Sequence, residues 1–308
     1  MTMDFIKEIN KLKQEKNAII LAHCYQNVEV DEVADYVGDS LYLSQVAAKT
    51  DADIILFAGV YFMAQSAKIL SPDKKVLMPN LNAGCAMADM INVEKLREFK
   101  QQYPNIPVVC YINSTAEVKA ECDVCCTSSN AINIVKNLGS DKVLFVPDNY
   151  LGKWVQKQLK GEVEVITFNG CCPIHQLITV EDIQSVRKKY PNALILTHPE
   201  CRAEVSELSD FVGSTKEIMA FAKESDGKQF VIATEKGVVD RLNRDSKMFN
   251  WGKEFILIKD EIVCESMKMN SLENIYNCLK EEQFEVDVDE TVANKALMSI
   301  DKMLKLSV

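Results

Sequence analysis

Cys85, Cys172 and Cys264 stand 87 and 92 residues apart in a chain of 308, each a few residues beyond a short apolar run of strand character (Val76-Leu77-Met78, Val165-Ile166-Thr167, Ile256-Leu257-Ile258). Thiolates are soft metal ligands, so three from separate segments would make three corners of a metal site. A second pattern keeps nearly the same period: His or Tyr, Glu-Val six residues on, Asp six further, and Ser or Thr five beyond that. It reads His23-Glu29-Val30-Asp35-Ser40, Tyr111-Glu117-Val118-Asp123-Ser128 and His198-Glu204-Val205-Asp210-Thr215. The chain thus reads as one unit written three times. Packed around a pseudo-threefold axis, each copy would bring a thiolate, a hydroxyl and an aromatic or imidazole group to a common centre. Structural zinc takes four protein ligands, whereas three thiolates suit an iron–sulfur cluster with one iron left open for substrate.

The elements that must hold these residues follow from hydrophobic pattern. Each copy opens on an apolar run that reads as a buried parallel strand: Ile19-Ile20-Leu21-Ala22, Val108-Val109-Cys110-Tyr111 and Leu194-Ile195-Leu196-Thr197. A short helical stretch, the Asp and the Ser/Thr come next, then a longer helix (41–49, 131–137, 217–223). Ser214-x-x-Glu217 matches a capping box, which puts the hydroxyls at a helix N-terminus. Second strands are predicted at 54–57, 143–146 and 230–233, with helices at 63–70 and 150–159 and a weaker one at 238–243. Third strands lead to the cysteines, and helices at 93–103, 180–190 and 271–282 close the copies.

This alternation predicts an α/β fold of three homologous three-layer αβα domains around a pseudo-threefold axis. The expected divisions are an N-terminal helix over 1–16, repeats over 17–104, 105–190 and 191–286, and a C-terminal helix within 287–308 that packs on the body. In parallel sheets ligands bind beyond the carboxyl ends of the strands, where His23, Tyr111 and His198 fall.

Composition narrows the function classes. Apolar residues are 47% and charged residues 26%, ordinary for a globular protein with a large core. The net charge of −10, with basic stretches no longer than the like of Arg187-Lys188-Lys189, argues against nucleic acid as a partner. Residues 1–17 lack the apolar core of a signal peptide, and no stretch is long enough for a membrane span. Eleven cysteines without an export signal read as reduced thiols in the cytoplasm.

Blander readings compete at several positions. A lone cysteine is most often a small buried hydrophobe, the expectation for Cys24, Cys110, Cys201 and Cys278. Cys122-x-x-Cys125-Cys126 is half of a zinc motif, yet no second pair or His-x₃₋₅-His completes it. The adjacent Cys171 and Cys172 leave the middle ligand open between them. His23, His175 and His198 are the only histidines, and all fall near strand ends or cysteine loops. Ser40, Ser128 and Thr215 could be helix caps alone; converging, they would make a site for carboxylate or phosphate. Walker A, dinucleotide-binding, Gly-x-Ser-x-Gly and His-Glu-x-x-His motifs are absent.

Nearly the whole chain resembles the quinolinate synthase family. The most specific segments are Leu21-Ala22-His23-x-Tyr25-Gln26, Val37-Gly38-Asp39-Ser40-Leu41, Ala58-Gly59-Val60-x-Phe62-Met63-Ala64 and Cys85-Ala86-Met87-Ala88. Tyr111-Ile112-Asn113-Ser114-Thr115-Ala116-Glu117, Thr127-Ser128-Ser129-Asn130-Ala131, His198-Pro199-Glu200-Cys201, Gly213-Ser214-Thr215 and Met267-Lys268 extend the match.

The resemblance implies a 4Fe–4S cluster held by three cysteines with one open iron. It assigns the middle ligand to Cys172 through Gly170-x-Cys172-x-x-His175, beside Cys85 and Cys264. It implies condensation of iminoaspartate with dihydroxyacetone phosphate to quinolinate in NAD biosynthesis, and a functional link to the L-aspartate oxidase that would supply the imine. Substrate contacts carried over are His23, Ser40, Tyr111, Asn113, Ser128, His175, His198, Glu200, Ser214 and Thr215. Tyr25 and Glu200, with His198, take the catalytic roles. Gln65 stands where many relatives have Glu, and Cys171 is an extra thiol. The segment Cys264-Glu265-Ser266-Met267 has one cysteine, so the disulfide switch proposed for relatives with several is not expected. Other triplicated cluster proteins, a diphthamide-synthesis subunit or a hydroxymethylbutenyl diphosphate reductase, and a non-catalytic cluster sensor remain as alternatives.

Overall fold

The computed structural model describes residues 4–307. Twelve strands form three parallel sheets of four. The first contains β1 (Ala18–His23), β2 (Tyr36–Gly38), β3 (Ile54–Ala58) and β4 (Lys75–Leu77); the second β5 (Val108–Tyr111), β6 (Val124–Cys126), β7 (Lys142–Val146) and β8 (Glu164–Thr167). The third contains β9 (Leu194–Thr197), β10 (Phe211–Val212), β11 (Gln229–Ala233) and β12 (Glu254–Leu257). All three run in the order second, first, third, fourth. The threefold repetition read from the sequence is therefore a repetition of topology, and the α/β class holds.

The edge strands β2, β6 and β10 were not expected, and the repeated Asp accounts for them. Asp35, Asp123 and Asp210 each precede an edge strand, and each clasps one residue of the neighbouring first strand twice. Its carboxylate accepts the amide of Ile20, Val108 or Ile195 (2.8, 2.7 and 2.7 Å). Its own amide donates to the same residue's carbonyl (2.9, 3.1 and 2.9 Å). A two- or three-residue strand has few ladder bonds, so this clasp fixes its register and delivers Ser40, Ser128 and Thr215 to the same end of each sheet.

Alternation along the strands buries both faces. Ile20, Ala22, Ile54, Leu56 and Ala58 pack on one side of the first sheet, Leu21, Ile55 and Phe57 on the other. The helix that ends each sequence copy covers the sheet of the next one. Leu96 of Val93–Gln102 joins the core around β5, and Ile183 and Val186 of Val180–Lys189 pack with Ile195 and Val231. Ile275, Cys278 and Leu279 of Leu272–Glu281 close the ring against β1 and β3, beside the helix Phe5–Glu15. The helix Glu290–Leu306 packs Ala296, Ile300 and Met303 against the second copy. Each αβα layer is thus completed by its neighbour, which binds the three copies into one ring.

One helix is longer than its pattern suggested. Expected over 238–243, it spans Lys236–Met248, because Arg241 and Ser246 are buried along with Val238, Val239 and Leu242. The Arg241 guanidinium donates to the carbonyls of Cys24 and Gln26 and to Asp31, so a residue that reads as surface is held between the third copy and the first.

Candidate active site

Each cysteine of the repeat starts a tight turn. The carbonyls of Cys85, Cys172 and Cys264 accept the amides of Asp89, Gln176 and Lys268 (3.1, 3.1 and 3.3 Å). The amides three residues on, at Ala88, His175 and Met267, lie close enough to the sulfur atoms to favour their anionic form, while the Met267 amide donates to the Cys264 carbonyl (3.0 Å). Upstream the copies share another bond. The amide opening the helix after the second main strand (Tyr61, Asn149 or Lys236) donates to the carbonyl two residues before the cysteine (Ala83, Gly170 or Ile262) at 2.8, 2.8 and 2.9 Å. By this bond Cys172, not Cys171, is the counterpart of Cys85 and Cys264. Gly170 is required, since a Cβ there would lie 2.5 Å from the Pro147 carbonyl oxygen.

Cys85, Cys172 and Cys264 line one cavity of about 230 Å³ at the carboxyl ends of the three sheets. His23, Tyr25, Ser40, Tyr111, Asn113, Ser128, His175, His198, Glu200 and Thr215 line it too. Ser214 stands apart: it is buried and its hydroxyl accepts the Glu217 amide in a complete capping box, while the next residue, Thr215, faces the cavity. Cys171 is also outside, its amide donating to Met90 Sδ (3.3 Å). Gln65 is buried at the junction of the first two copies, where Oε1 accepts the Ala116 amide (3.2 Å).

A hydrogen-bonded network joins the polar lining. Glu200 Oε1 accepts the Tyr111 hydroxyl (2.7 Å), and Oε2 lies 2.8 Å from His175 Nδ1 at an ion-pair distance without hydrogen-bond alignment. His175 Nε2 meets the Thr234 hydroxyl (2.8 Å), which with Thr215 flanks the Tyr25 hydroxyl (both 3.0 Å). His23 Nδ1 accepts the Tyr25 amide and His198 Nδ1 the Glu200 amide (3.1 and 3.3 Å), so the proton of each neutral ring is assigned to Nε2. Burial pushes both imidazoles down to about 3, and Arg241 and Lys268 add to the effect at His23. Near neutral pH they are uncharged hydrogen-bonding groups. Burial and the Glu200 charge push the Tyr25 and Tyr111 phenols well above their usual range. Burial opposes the charge of Glu200, while the adjacent imidazoles and the hydrogen bond from the Tyr111 hydroxyl favour the carboxylate and hold the carboxyl below its usual range. An enclosed acid and an enclosed carboxylate thus sit in one cavity with their proton affinities driven apart.

The donor set fits an iron–sulfur cluster. All three cysteines are unpaired and half-buried at the cavity wall. Burial pushes Cys85 up to about 12 and raises Cys172 and Cys264, so these thiols are poor nucleophiles until a cation at the centre draws off their protons. The turn amides then serve as donors to the anionic sulfur, a recognised lever on cluster stability and potential. Cys172 Sγ, a ring nitrogen of His175 and a carboxylate oxygen of Glu200 also lie within 4.8 Å of one another, which brings the carboxylate next to the thiol.

Some of the site was not read from the sequence. Asp148 and Glu235 are buried N-cap residues that follow the strands β7 and β11. Extending the repeat alignment past those strands would have flagged them, since their counterpart in the first copy is the apolar Val60. Thr234 left no signal beyond its place at a strand end.

Residues 7–305 match the family model described as quinolinate synthetase A protein, NadA. The chain belongs to the quinolinate synthase family. A protein named quinolinate synthase from Alkaliphilus metalliredigens is 52% identical over 303 residues, 98% of each chain. The one from Caldicellulosiruptor saccharolyticus is 49% identical over 301 residues, again 98% of each, and that from Clostridioides difficile 48% over 307, covering 100% of this chain and 99% of the relative. Quinolinate synthase family membership thus extends across all three sheets and every residue of the cavity. No helix among the described residues is long and apolar enough to cross a membrane.

Proposed function

We propose that this protein is a quinolinate synthase that condenses iminoaspartate with dihydroxyacetone phosphate, releasing phosphate and water, with a 4Fe–4S cluster held by Cys85, Cys172 and Cys264. The observation that carries this reading is the meeting of three repeat-related cysteines, each opening the same tight turn, in one cavity with Glu200, Tyr25 and the three hydroxyls. When bound, a cluster with one iron free of protein ligands supplies a Lewis acid for the dehydration steps.

The chain's own groups do the rest. Ser40 and Thr215 open helices behind their caps Asp39 and Ser214, so hydroxyls and helix N-termini point at the cavity and favour carboxylate and phosphate groups. Ser128 and Asn113 add neutral donors from the second copy. His23 and His198, kept neutral by burial, orient substrate oxygens without adding charge. Glu200 is the base for proton removal during isomerisation, steadied by Tyr111 and His175. Tyr25, whose hydroxyl is held between Thr215 and Thr234, is the acid. A small cavity buried among three copies also keeps bulk water from a hydrolysable imine.

The test is an assay on anaerobically prepared protein with iminoaspartate generated in situ. Quinolinate should form without added reductant. Turnover that depends on an electron donor would favour a reductase instead.

A further inference from the structure

The three cysteine loops are fixed alike up to one residue, and there they part. The residue before Tyr61, Asn149 and Lys236 is Val60, Asp148 and Glu235. Val60 offers no polar side chain. Asp148 is fully buried, caps its helix by accepting the Leu151 amide (2.6 Å) and faces the Cys172 amide. Glu235 goes further. It is buried, it lines the cavity, and its Oε1 accepts the amide of Cys264 itself (3.2 Å) while Oε2 accepts the Gly237 amide (2.6 Å). Lys268 Nζ lies 3.0 Å from Oε1 and also donates to the carbonyl of Tyr25. The approach is close: a Cβ on Gly237 would sit 2.9 Å from both the Cα and the carbonyl oxygen of Tyr25. One carboxylate thus joins a cysteine loop of the third copy to the Tyr25 backbone of the first.

We propose that Glu235 is a positioning residue that sets the Cys264 loop through its amide and, by way of Lys268, sets the backbone that carries Tyr25. The inference rests on the reading of Cys264 as a cluster ligand and Tyr25 as the acid. Although Glu235 lines the cavity, its oxygens are taken by the amides of Cys264 and Gly237 and by Lys268, so it acts on the reaction through the residues it holds. Its effect should therefore divide into two measurable parts. The amide contact governs how firmly the cluster is held, and the lysine bridge governs turnover. Groups that support metal ligands in this way typically contribute about 10- to 100-fold to metal retention or activity.

The experiment compares the reconstituted parent with Glu235→Ala, Glu235→Gln and Lys268→Met under anaerobic conditions. Iron and sulfide content, the rate of iron loss to a chelator, the paramagnetic resonance spectrum of the reduced cluster, kcat and KM are read for each. Glu235→Ala should load its cluster but lose iron about ten-fold faster, with an altered spectrum. Glu235→Gln, which keeps the volume and one acceptor oxygen, should lie between it and the parent and guards against a folding defect in the alanine chain. Lys268→Met should release iron at the parental rate while kcat falls about ten-fold and KM changes little. If the parent loads normally and both Glu235 variants release iron at its rate with its spectrum, the inference is overturned alone. A parent that takes up no iron and sulfide overturns the cluster reading and this inference with it.

Discussion

The cavity thiols and the thiols of the second sheet are the same residue type in opposite surroundings. Close to the sulfurs of Cys85, Cys172 and Cys264 stand backbone amides, donors that suit an anionic sulfur, and at Cys172 a His175 nitrogen and a Glu200 oxygen lie within 4.8 Å as well. At four of the other cysteines the thiol donates to a carbonyl, which suits a protonated sulfur. Cys110 Sγ donates to Tyr111 O (3.4 Å), Cys122 Sγ to Val118 O (3.1 Å), Cys201 Sγ to Ala233 O (3.6 Å) and Cys278 Sγ to Gln283 O (3.1 Å). Cys110 and Cys125 are register partners on β5 and β6, and Cys110, Cys125 and Cys126 are fully buried. The Cys122-x-x-Cys125 spacing is thus one half-buried residue and one strand residue, each already placed by packing. What a cysteine can do here is set less by its neighbours in sequence than by whether donors or acceptors meet its sulfur.

The sharpest way to break that comparison is to exchange the two adjacent thiols. Cys172→Ser should abolish bound iron and sulfide and all quinolinate formation, whereas Cys171→Ser should keep both at parental levels, measured after anaerobic reconstitution. Equal iron in the two variants would mean that the tight turn shared with Cys85 and Cys264 does not mark the ligand. Next in size are the groups beside those sulfurs. Glu200→Gln and Tyr25→Phe each remove a proton-transfer group while leaving the cysteine loops intact. Each should cut kcat by roughly 10²- to 10⁴-fold with iron content unchanged. Loss of iron in either would show that the network of Tyr111, His175 and Thr234 supports the cluster as well as the acid and base.

The repeat made most of this legible. Period and residue type located Cys85, Cys264, His23, Tyr111 and His198 and narrowed the middle cysteine to Cys171 or Cys172, because a triplicated parallel fold sends equivalent strand ends to one place; the choice of Cys172 came from the family resemblance. The repeated Asp was visible but not its work, since a carboxylate that clasps a backbone two ways leaves the same trace in sequence as any conserved-looking spacing. The repeat ended on Thr215 and the capping box on Ser214, yet the resemblance put both among the substrate contacts, and a one-residue step at a helix start decides which hydroxyl caps and which faces the cavity. Glu235, Asp148 and Arg241 were hidden for a different reason. Charged residues read as surface, and only three-dimensional partners make their burial tolerable.

The cavity's histidines give a pH test of the same contrast, on the cluster-free chain. His23 and His198 titrate near 6.5 when unfolded and are held down to about 3 when folded. The unfolded state therefore binds more protons below pH 6.5, and stability is lost as pH falls through that window. The slope approaches about 1.4 kcal/mol per histidine for each pH unit. Replacing both by Asn should flatten the fall in the urea midpoint between pH 6.5 and 5. An unchanged slope would mean that the rings are open to water and not enclosed as described.

The smallest effect belongs to the second sheet. Cys125→Ala removes a sulfur that packs between β5 and the helix Glu290–Leu306, where Cys125 Sγ lies 3.4 Å from Ser299 Oγ. The cavity left is that of one atom, and the Ser299 hydroxyl keeps its bonds to the carbonyls of Lys119 and Ala296 (3.0 and 2.9 Å), so no buried polar group is stranded. Stability should fall by about 1 kcal/mol, seen as a lower urea midpoint with an unchanged slope, while iron, sulfide and kcat stay at parental values. Nearby Lys119 gives the counterpart. It is fully buried, donates to Ser66 Oγ (2.8 Å), and is pushed down to about 8 by burial, with the thiols of Cys125 and Cys110 pulling the other way. If Cys125→Ala instead lost iron, a thiol hydrogen-bonded to neutral partners behind a sheet would be feeding the centre, and the division of the cysteines by donors and acceptors would fail.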